Sequence, residues 1–314
     1  MMLIPEGSNE HVRIEWKLYR NMLVTRLLEE ALVRWEQEGK ISAQTFPSKG
    51  QEAVAIGCCA ALQNGDTVIP SFRTRGSMIG MGVSIAEQLR EFIHSPLAAG
   101  DSRDAPHHSS WPDRGVMPGS TMIGGHLAMA AGLALAMQFD KENAVSVAFF
   151  GDGTLGSGDF YETMHIAGMW RLPLILVCEN NGWEMATPYS QVRKTRALSP
   201  YAEPFGFATR TADGNDVLDV YRCAQWARAT ARGGQPVFLD CMTFRLGLYS
   251  SHFGEVRAVG IQKELAEWET RDPLKRMADW LIDKGMTTGD ELARLQRDEE
   301  QKIETAFEAV RDEK

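Results

Sequence analysis

The stretch that decides the fold is Ala144–Gly182, AVSVAFFGDGTLGSGDFYETMHIAGMWRLPLILVCENNG. Ala144–Phe150 and Leu174–Cys178 are continuous apolar runs, and the residues between them, from about Asp159 to Trp170, have the length and composition of a helix. Two strands apolar on both faces and joined by a helix make a βαβ unit, because only a parallel sheet covered by helices on both sides buries strands of that kind. The first run ends in Gly151-Asp152-Gly153 and the second in Glu179-Asn180-Asn181-Gly182. A right-handed crossover puts both carboxyl ends on one edge of the sheet, where open parallel sheets bind their ligands.

Outward from this unit, Leu127–Gln138 reads as a helix packed by Ala and Gly, and Thr67–Pro70 and Pro236–Cys241 read as further strands. Apolar residues recur at helical spacing over His11–Glu38, with Gly39 placed to end that helix. Gln51–Leu62 is a second, small-residue helix stopped by the turn Asn64-Gly65-Asp66. Pro96–Gly119 is long, aperiodic and rich in Pro, Gly, Ser, Asp and His, the mark of a functional or mobile loop. From Val256 the chain is helical and charged, with a break at Arg271-Asp272-Pro273 and amphipathic stretches at Leu274–Lys284 and Asp290–Val310. The expected fold is α/β, three-layered around a mainly parallel sheet. We expect a single domain over 1–314, with a core at about 40–255, a helical arm at 10–39 and a helical C-terminal segment at 256–314.

The chain has 314 residues, a hydrophobic share of 44% and a charged share of 24%, enough for a large buried core without disulfide or metal staples. A net charge of −9 argues against a nucleic-acid or anionic-membrane binder. Leu127–Met137, the longest small-apolar stretch, is too short to span a bilayer, and Met1–Asn9 has no basic leader region. Five cysteines without motif spacing read as reduced thiols of a cytoplasmic protein.

Asp152 and the Asn180-Asn181 pair stand just beyond neighbouring strand ends. A carboxylate and an amide oxygen suit a hard octahedral cation such as Mg²⁺, which takes few protein ligands and completes its shell with water and a diphosphate. The flanking glycines let backbone approach that ligand. Gly151-Asp152-Gly153-Thr154-Leu155-Gly156 is also literally G-x-G-x-x-G, and Glu179 sits where a ribose-binding acid belongs, so an NAD-dependent dehydrogenase is a rival reading. Against it, Asp152 would set a carboxylate beside a bare pyrophosphate, and Asn180-Asn181 would have no role.

The Gly-Asp-Gly and Asn-Asn pair resembles the thiamine-diphosphate signature. Phe160-Tyr161-Glu162, Trp170-Arg171-Leu172-Pro173, Gly50-Gln51-Glu52-Ala53, Phe72-Arg73 and Arg271-Asp272-Pro273 extend the resemblance over roughly residues 15–310. In that order they are similar to the alpha subunit of the 2-oxo acid dehydrogenase decarboxylating component of pyruvate, branched-chain and acetoin dehydrogenase complexes. The resemblance implies thiamine diphosphate and Mg²⁺ as cofactors. Asp152, Asn181 and the carbonyl of Trp183 would hold the metal, and Gly153 and Thr154 would present backbone to the diphosphate. Arg73 after Phe72 would clamp the diphosphate, and Thr121 to Ile123 would lie against the aminopyrimidine. It further implies a beta subunit supplying the activating glutamate, two alpha and two beta chains per assembly, a small-molecule substrate, and a lipoyl acyltransferase as possible acceptor.

The substrate side departs from this family. Tyr249 stands where a cofactor-proximal histidine is expected, with His252 three residues late; Phe46 and Arg75 stand where two further histidines are usual. The remaining candidates for proton transfer are His107, His108 and His126, together with Tyr249 and His252. Glu52 invites an activating role, but a structural hydrogen bond is the expectation, since the family places that acid in the partner chain. The expected activity is cleavage of a 2-oxo acid or acyloin with transfer of the acyl or hydroxyalkyl unit. The missing histidines keep open a carboligase or split transketolase-like enzyme without a lipoyl acceptor. A non-catalytic subunit is the blandest alternative, and the intact Asp152/Asn181 pair speaks against it.

Overall fold

The structure is a computed structural model that describes residues 12–100, 105–141, 143–257 and 261–313. The reading of Met1–Asn9 lies outside these residues.

The chain opens with α1 (Val12–Gln37), α2 (Glu52–Ala60) and the short strand β1 (Thr67–Ile69), followed by α3 (Arg75–Gly80), α4 (Ile85–Phe92) and α5 (Leu127–Phe139). Next comes the expected βαβ unit: β2 (Ser146–Gly151), a 3₁₀ turn at Asp152–Gly156, α6 (Gly158–Trp170) and β3 (Leu174–Asn180). A small hairpin of β4 (Trp183–Glu184) and β5 (Thr187–Pro188) leads through α7 (Tyr189–Val192) and α8 (Ser199–Ala202) to β6 (Ala208–Asp213), α9 (Val217–Arg232) and β7 (Val237–Met242). Three helices, α10 (Gln262–Glu269), α11 (Pro273–Asp283) and α12 (Gly289–Arg311), end the chain.

The main sheet has the order β1-β2-β3-β7-β6, and every pairing in it is parallel. Every residue of β3 is buried, and β2 and β7 are buried except at their last residues, as their unbroken apolar character demands. On one face Val147, Phe149, Ile175, Val177 and Leu239 pack with α2 and α9; on the other, Phe150, Leu174, Leu176 and Phe238 pack with α5 and α6. The expected three-layer α/β fold is thus observed. A further apolar cluster joins α1, α4, α11 and α12, where Trp35 and Phe307 stack with centroids 4.0 Å apart.

The sequence reading missed β6 and α9. β6 is an edge strand whose apolar pattern is interrupted by Arg210, which covers the Trp226 ring at 4.1 Å, and α9 carries arginines among small alanines. The aperiodic Pro96–Gly119 segment is partly tied to β1: Val68 N–H donates to Gly115 O at 2.8 Å and Met117 N–H to Val68 O at 2.8 Å. All five cysteines are free and buried, in keeping with the expected reduced thiols. Among the described residues no helix is long and apolar enough to cross a membrane.

Candidate functional site

The register settles where the two motifs meet. Gly151 of β2 pairs with Glu179 of β3, and Asn180 pairs with Met242 of β7, so Asp152 and Asn181 leave adjacent strands at the same sheet edge. The Asp152 carboxylate is 1% exposed; Oδ2 accepts from the Arg193 guanidinium, while Oδ1 is buried without a partner. Burial raises the Asp152 pKa and the Arg193 charge opposes that rise. Gly153 lies directly against Glu184: a Cβ here would sit 2.8 Å from the Glu184 Cγ, so a larger residue would require that side chain to shift.

Asn181 is oriented from both ends. Its Oδ1 accepts from Trp183 N–H at 2.9 Å and its Nδ2 donates to Gln51 Oε1 at 3.2 Å. A backbone N–H can donate to the amide oxygen but not to its NH2, so this bond fixes the amide and leaves Oδ1 one lone pair for a ligand. Asn180 has a different task, donating to Arg196 O at 2.7 Å and Asp240 Oδ1 at 2.9 Å and so tying the strand ends together. Beside them Glu179 is fully buried; burial pushes its carboxyl up to about 8, with the Arg73 charge pulling the other way.

Arg73 is 6% exposed and donates from Nη1 to Pro47 O at 2.8 Å and Tyr249 O at 3.0 Å. Its guanidinium faces the rings of Phe72 at 5.6 Å and Tyr249 at 5.4 Å. Among the described residues no carboxylate comes within ion-pair distance of it, and Glu179 acts on it only from further away. Arg245 lies 5.2 Å from the centroid of the same Tyr249 ring and shares Glu255 with Arg257, at 3.7 and 2.8 Å. Burial pushes Arg245 down to about 9, which still leaves it charged at neutral pH. A chain of net charge −9 thus brings Arg73 and Arg245 together around Tyr249.

The residues present fit a divalent cation with a diphosphate. An unpartnered buried carboxylate oxygen, an oriented amide oxygen and a nearby guanidinium with no carboxylate at ion-pair distance supply hard oxygen ligands and an anion clamp. Among the described residues no group of three or more His, Cys, Asp or Glu side chains is placed to hold a metal ion by itself.

The proton-transfer candidates separate. Tyr249 is at the site, packed on Arg73 and, at 5.9 Å, on Phe46. His108 Nε2 lies 3.2 Å from Thr121 Oγ1, beside the exposed Met122 and Ile123. His107 stands at 5.2 Å from Phe46, but its Nε2 is committed to Gln44 O at 2.7 Å. Two candidates are engaged away from Tyr249. His126 precedes α5 with its ring buried, Nε2 on Phe149 O at 2.8 Å and Nδ1 without a partner. His252 is exposed and pairs with Glu36 Oε1 at 2.6 Å, which directs it to α1. Phe46 and Arg75, at the positions of the two other missing histidines, are respectively an aromatic wall and a buried cation over Phe92 at 4.7 Å.

Burial, reinforced by the charge on Arg75, pushes His107 down to about 4. The unfolded imidazole titrates near its ordinary 6.5, so the neutral ring's contribution is complete above pH 6.5 and is lost as pH falls from there toward 4. At about 1.4 kcal/mol per pKa unit the loss is on the order of 3 kcal/mol. Urea midpoints at pH 7 and pH 4.5 should differ more in the wild type than in His107→Gln; equal slopes would refute this assignment.

Residues 19–314 match the family described as dehydrogenase E1 component. The chain belongs to that family. It is 29% identical to the acetoin:2,6-dichlorophenolindophenol oxidoreductase alpha subunit of Bacillus subtilis, over 92% of this chain and 86% of that one. It is 31% identical to the pyruvate dehydrogenase E1 component alpha subunit of Rhizobium meliloti, over 94% and 84% of the two chains. With the 2-oxoisovalerate dehydrogenase alpha 1 subunit of Arabidopsis thaliana it shares 28% identity over 94% of this chain and 62% of the plant one. The resemblance read from the motifs is thus borne out, and with it the class of enzyme, an E1 alpha-type oxidoreductase subunit. The nicotinamide reading of the glycine turn gives way to the family that the chain matches. Gln51, Glu184, Arg193 and Arg245 were missed as parts of this site. Glu184 was within reach, three residues after Asn181, whereas Arg193 lies in an aperiodic basic stretch that only the folded loop returns to Asp152.

Proposed function

We propose that this chain is the alpha subunit of a heteromeric enzyme that cleaves a 2-oxo acid or an acyloin and transfers the acyl or hydroxyalkyl unit, using thiamine diphosphate and Mg²⁺. The observation that carries this is the juxtaposition of the unpartnered Asp152 Oδ1, the oriented Asn181 amide and the buried Arg73 at one sheet edge. Asp152, Asn181 and the Trp183 carbonyl would hold the metal; Gly153, Thr154 and the Phe72-Arg73 pair would hold the diphosphate. The open stretch Thr121–Ile123 would lie along the aminopyrimidine. When bound, the cofactor supplies a nucleophilic thiazolium carbon and an electron sink for the cleaved bond. This chain's part is to fix the anionic end of that molecule, to keep water from Arg73 with Phe46, Phe72 and Tyr249, and to offer the Tyr249 hydroxyl and His108 for proton movement.

The activating glutamate would come from a beta subunit, in an assembly of two alpha and two beta chains. Met122 and Ile123 are exposed directly before α5, and Ile166, Met169 and Trp170 are exposed on the neighbouring α6; an apolar surface continuous with a half-built site is what a beta chain would cover. We take residues 1–314 as one thiamine-diphosphate-binding domain, and the buried free thiols support a cytoplasmic setting.

A second reading has its own support. Phe46, Arg75 and Tyr249 leave no free imidazole at the histidine positions of the resemblance, and His107 is bound to backbone. This favours an aldehyde acceptor, as in a carboligase, over a lipoyl group delivered by an acyltransferase. With the beta partner present, cleavage of 2-oxo acids and acetoin is measured with either a lipoyl domain or an aldehyde added. Acylation of the lipoyl domain selects the dehydrogenase, a new carbon–carbon bond selects the carboligase, and no cofactor-dependent cleavage of any substrate overturns both.

A further inference from the structure

Two side chains stand where the cation and the diphosphate would go. The Arg193 guanidinium, 6% exposed, donates to Asp152 Oδ2, and its Nη1 lies 3.4 Å from the Asp152 backbone oxygen and 3.6 Å from Glu184 Oε1. Glu184 lies with its Cγ against the bare backbone of Gly153, on the surface left open by the missing side chain. The two are linked to each other and to Asp152, so a positive group sits on the expected metal ligand and a carboxylate sits on the expected diphosphate cradle.

We propose that Glu184 and Arg193 form an ion-paired plug that closes the cofactor site of the empty chain, so that loading the metal and diphosphate is an exchange of charges rather than occupation of an open cleft. The proposal rests on the cofactor reading given above. A divalent cation and a guanidinium repel each other strongly on one buried carboxylate, and a diphosphate is repelled by Glu184 at Gly153. Both side chains must therefore leave together, and they can do so as a pair because each already neutralises the other.

The surrounding loop is built for that movement. It is anchored independently of the plug: Tyr189 N–H donates to Gly182 O at 2.9 Å, Asn180 Nδ2 to Arg196 O at 2.7 Å, and Arg196 Nη2 to Thr243 O at 3.1 Å. These bonds hold both ends of the segment 182–196 while the side chains of Glu184 and Arg193 turn. The plug is also imperfect, since Arg193 Nε is buried without an acceptor and Asp152 Oδ1 has no donor. A contact that leaves polar atoms unsatisfied is one that a better-matched ligand displaces.

A closed fraction weakens apparent affinity in proportion to the fraction that is open. Mg²⁺ is titrated calorimetrically into the alpha–beta complex at fixed thiamine diphosphate, with Arg193→Ala and Glu184→Ala as separate variants, and the rate of cofactor binding is followed by stopped-flow tryptophan fluorescence. Arg193→Ala is expected to tighten the Mg²⁺ midpoint by about tenfold and to replace a wild-type rate that saturates with cofactor by one that rises linearly. Glu184→Ala, which leaves the Arg193–Asp152 bond in place, is expected to tighten diphosphate binding more than Mg²⁺ binding. Weaker or unchanged Mg²⁺ binding in Arg193→Ala overturns the plug and makes Arg193 a support for Asp152; if that variant does not fold, unchanged or weaker diphosphate binding in Glu184→Ala overturns it. Wild-type complex that binds no thiamine diphosphate at any Mg²⁺ concentration instead overturns the cofactor reading itself.

Discussion

Asp152→Asn is expected to lose Mg²⁺-dependent binding of thiamine diphosphate by roughly 100-fold or more, since partners one shell further out alone contribute about 10–100-fold. The wild-type carboxylate has one oxygen on Arg193 and one unpartnered, and the amide keeps the shape while removing the negative charge that attracts a divalent cation. The same change strips Arg193 of its closest counter-ion and leaves it with Glu184, 3.6 Å away. The cofactor-free complex should accordingly melt a few degrees lower yet retain its helical circular dichroism. Calorimetric titration of Mg²⁺ at fixed thiamine diphosphate decides the matter: affinity within threefold of wild type would remove Asp152 from the metal site.

Glu52→Ala is expected to be the most destabilising of the single substitutions considered, at about 3–5 kcal/mol, the cost of breaking a buried ion pair by deleting one member. Glu52 is fully buried; Oε2 accepts from Gly50 N–H at 2.9 Å and Oε1 from Arg26 Nε at 2.6 Å. Arg26 continues to Asp272 Oδ2 at 2.7 Å, and Asp272 caps α11 through Leu274 N–H at 2.9 Å. One carboxylate thus connects α1, the Gly-Gln-Glu-Ala turn and α11, and the turn carries Gln51, which orients Asn181. Thermal unfolding of the variant should begin roughly 10 °C earlier. Glu52→Gln, which keeps an acceptor for Gly50 N–H, should lose less. A Glu52→Ala complex that is inactive but as stable as wild type would instead support a chemical role for this acid.

The proposed metal and diphosphate half of the site was legible because its candidate ligands follow the ends of strands, and strand ends are marked by apolar runs that stop. Asp152 and Asn181 each stand one residue past a strand, two and three residues beyond the apolar runs, and parallel pairing fixes their relation. The turn Gly-Gln-Glu-Ala was legible as a motif but its work was not, since Gln51 meets Asn181 across 130 positions and Glu52 meets Arg26 across 26. The substrate half was legible mainly as absence. Which residues replace the histidines was visible at Phe46, Arg75 and Tyr249, but their packing was not, because aromatic rings and a guanidinium have no sequence period when they gather from separate loops. His126 and His252 show the same limit: proximity in sequence to a motif does not fix which way a ring turns.

By itself the sequence determined the parallel α/β architecture, the family and the sheet edge where the candidate ligands gather, since periodicity and composition dictate which segments are buried and which end is free for a ligand. Only the tertiary structure decided that Arg193 and Glu184 cover Asp152 and Gly153, that Arg73 is a buried cation with no carboxylate at ion-pair distance, and that His107 is held neutral. Those properties depend on burial and on charges from distant elements acting over a few ångströms in a medium of low polarity, and no local stretch of sequence encodes either distance or dielectric.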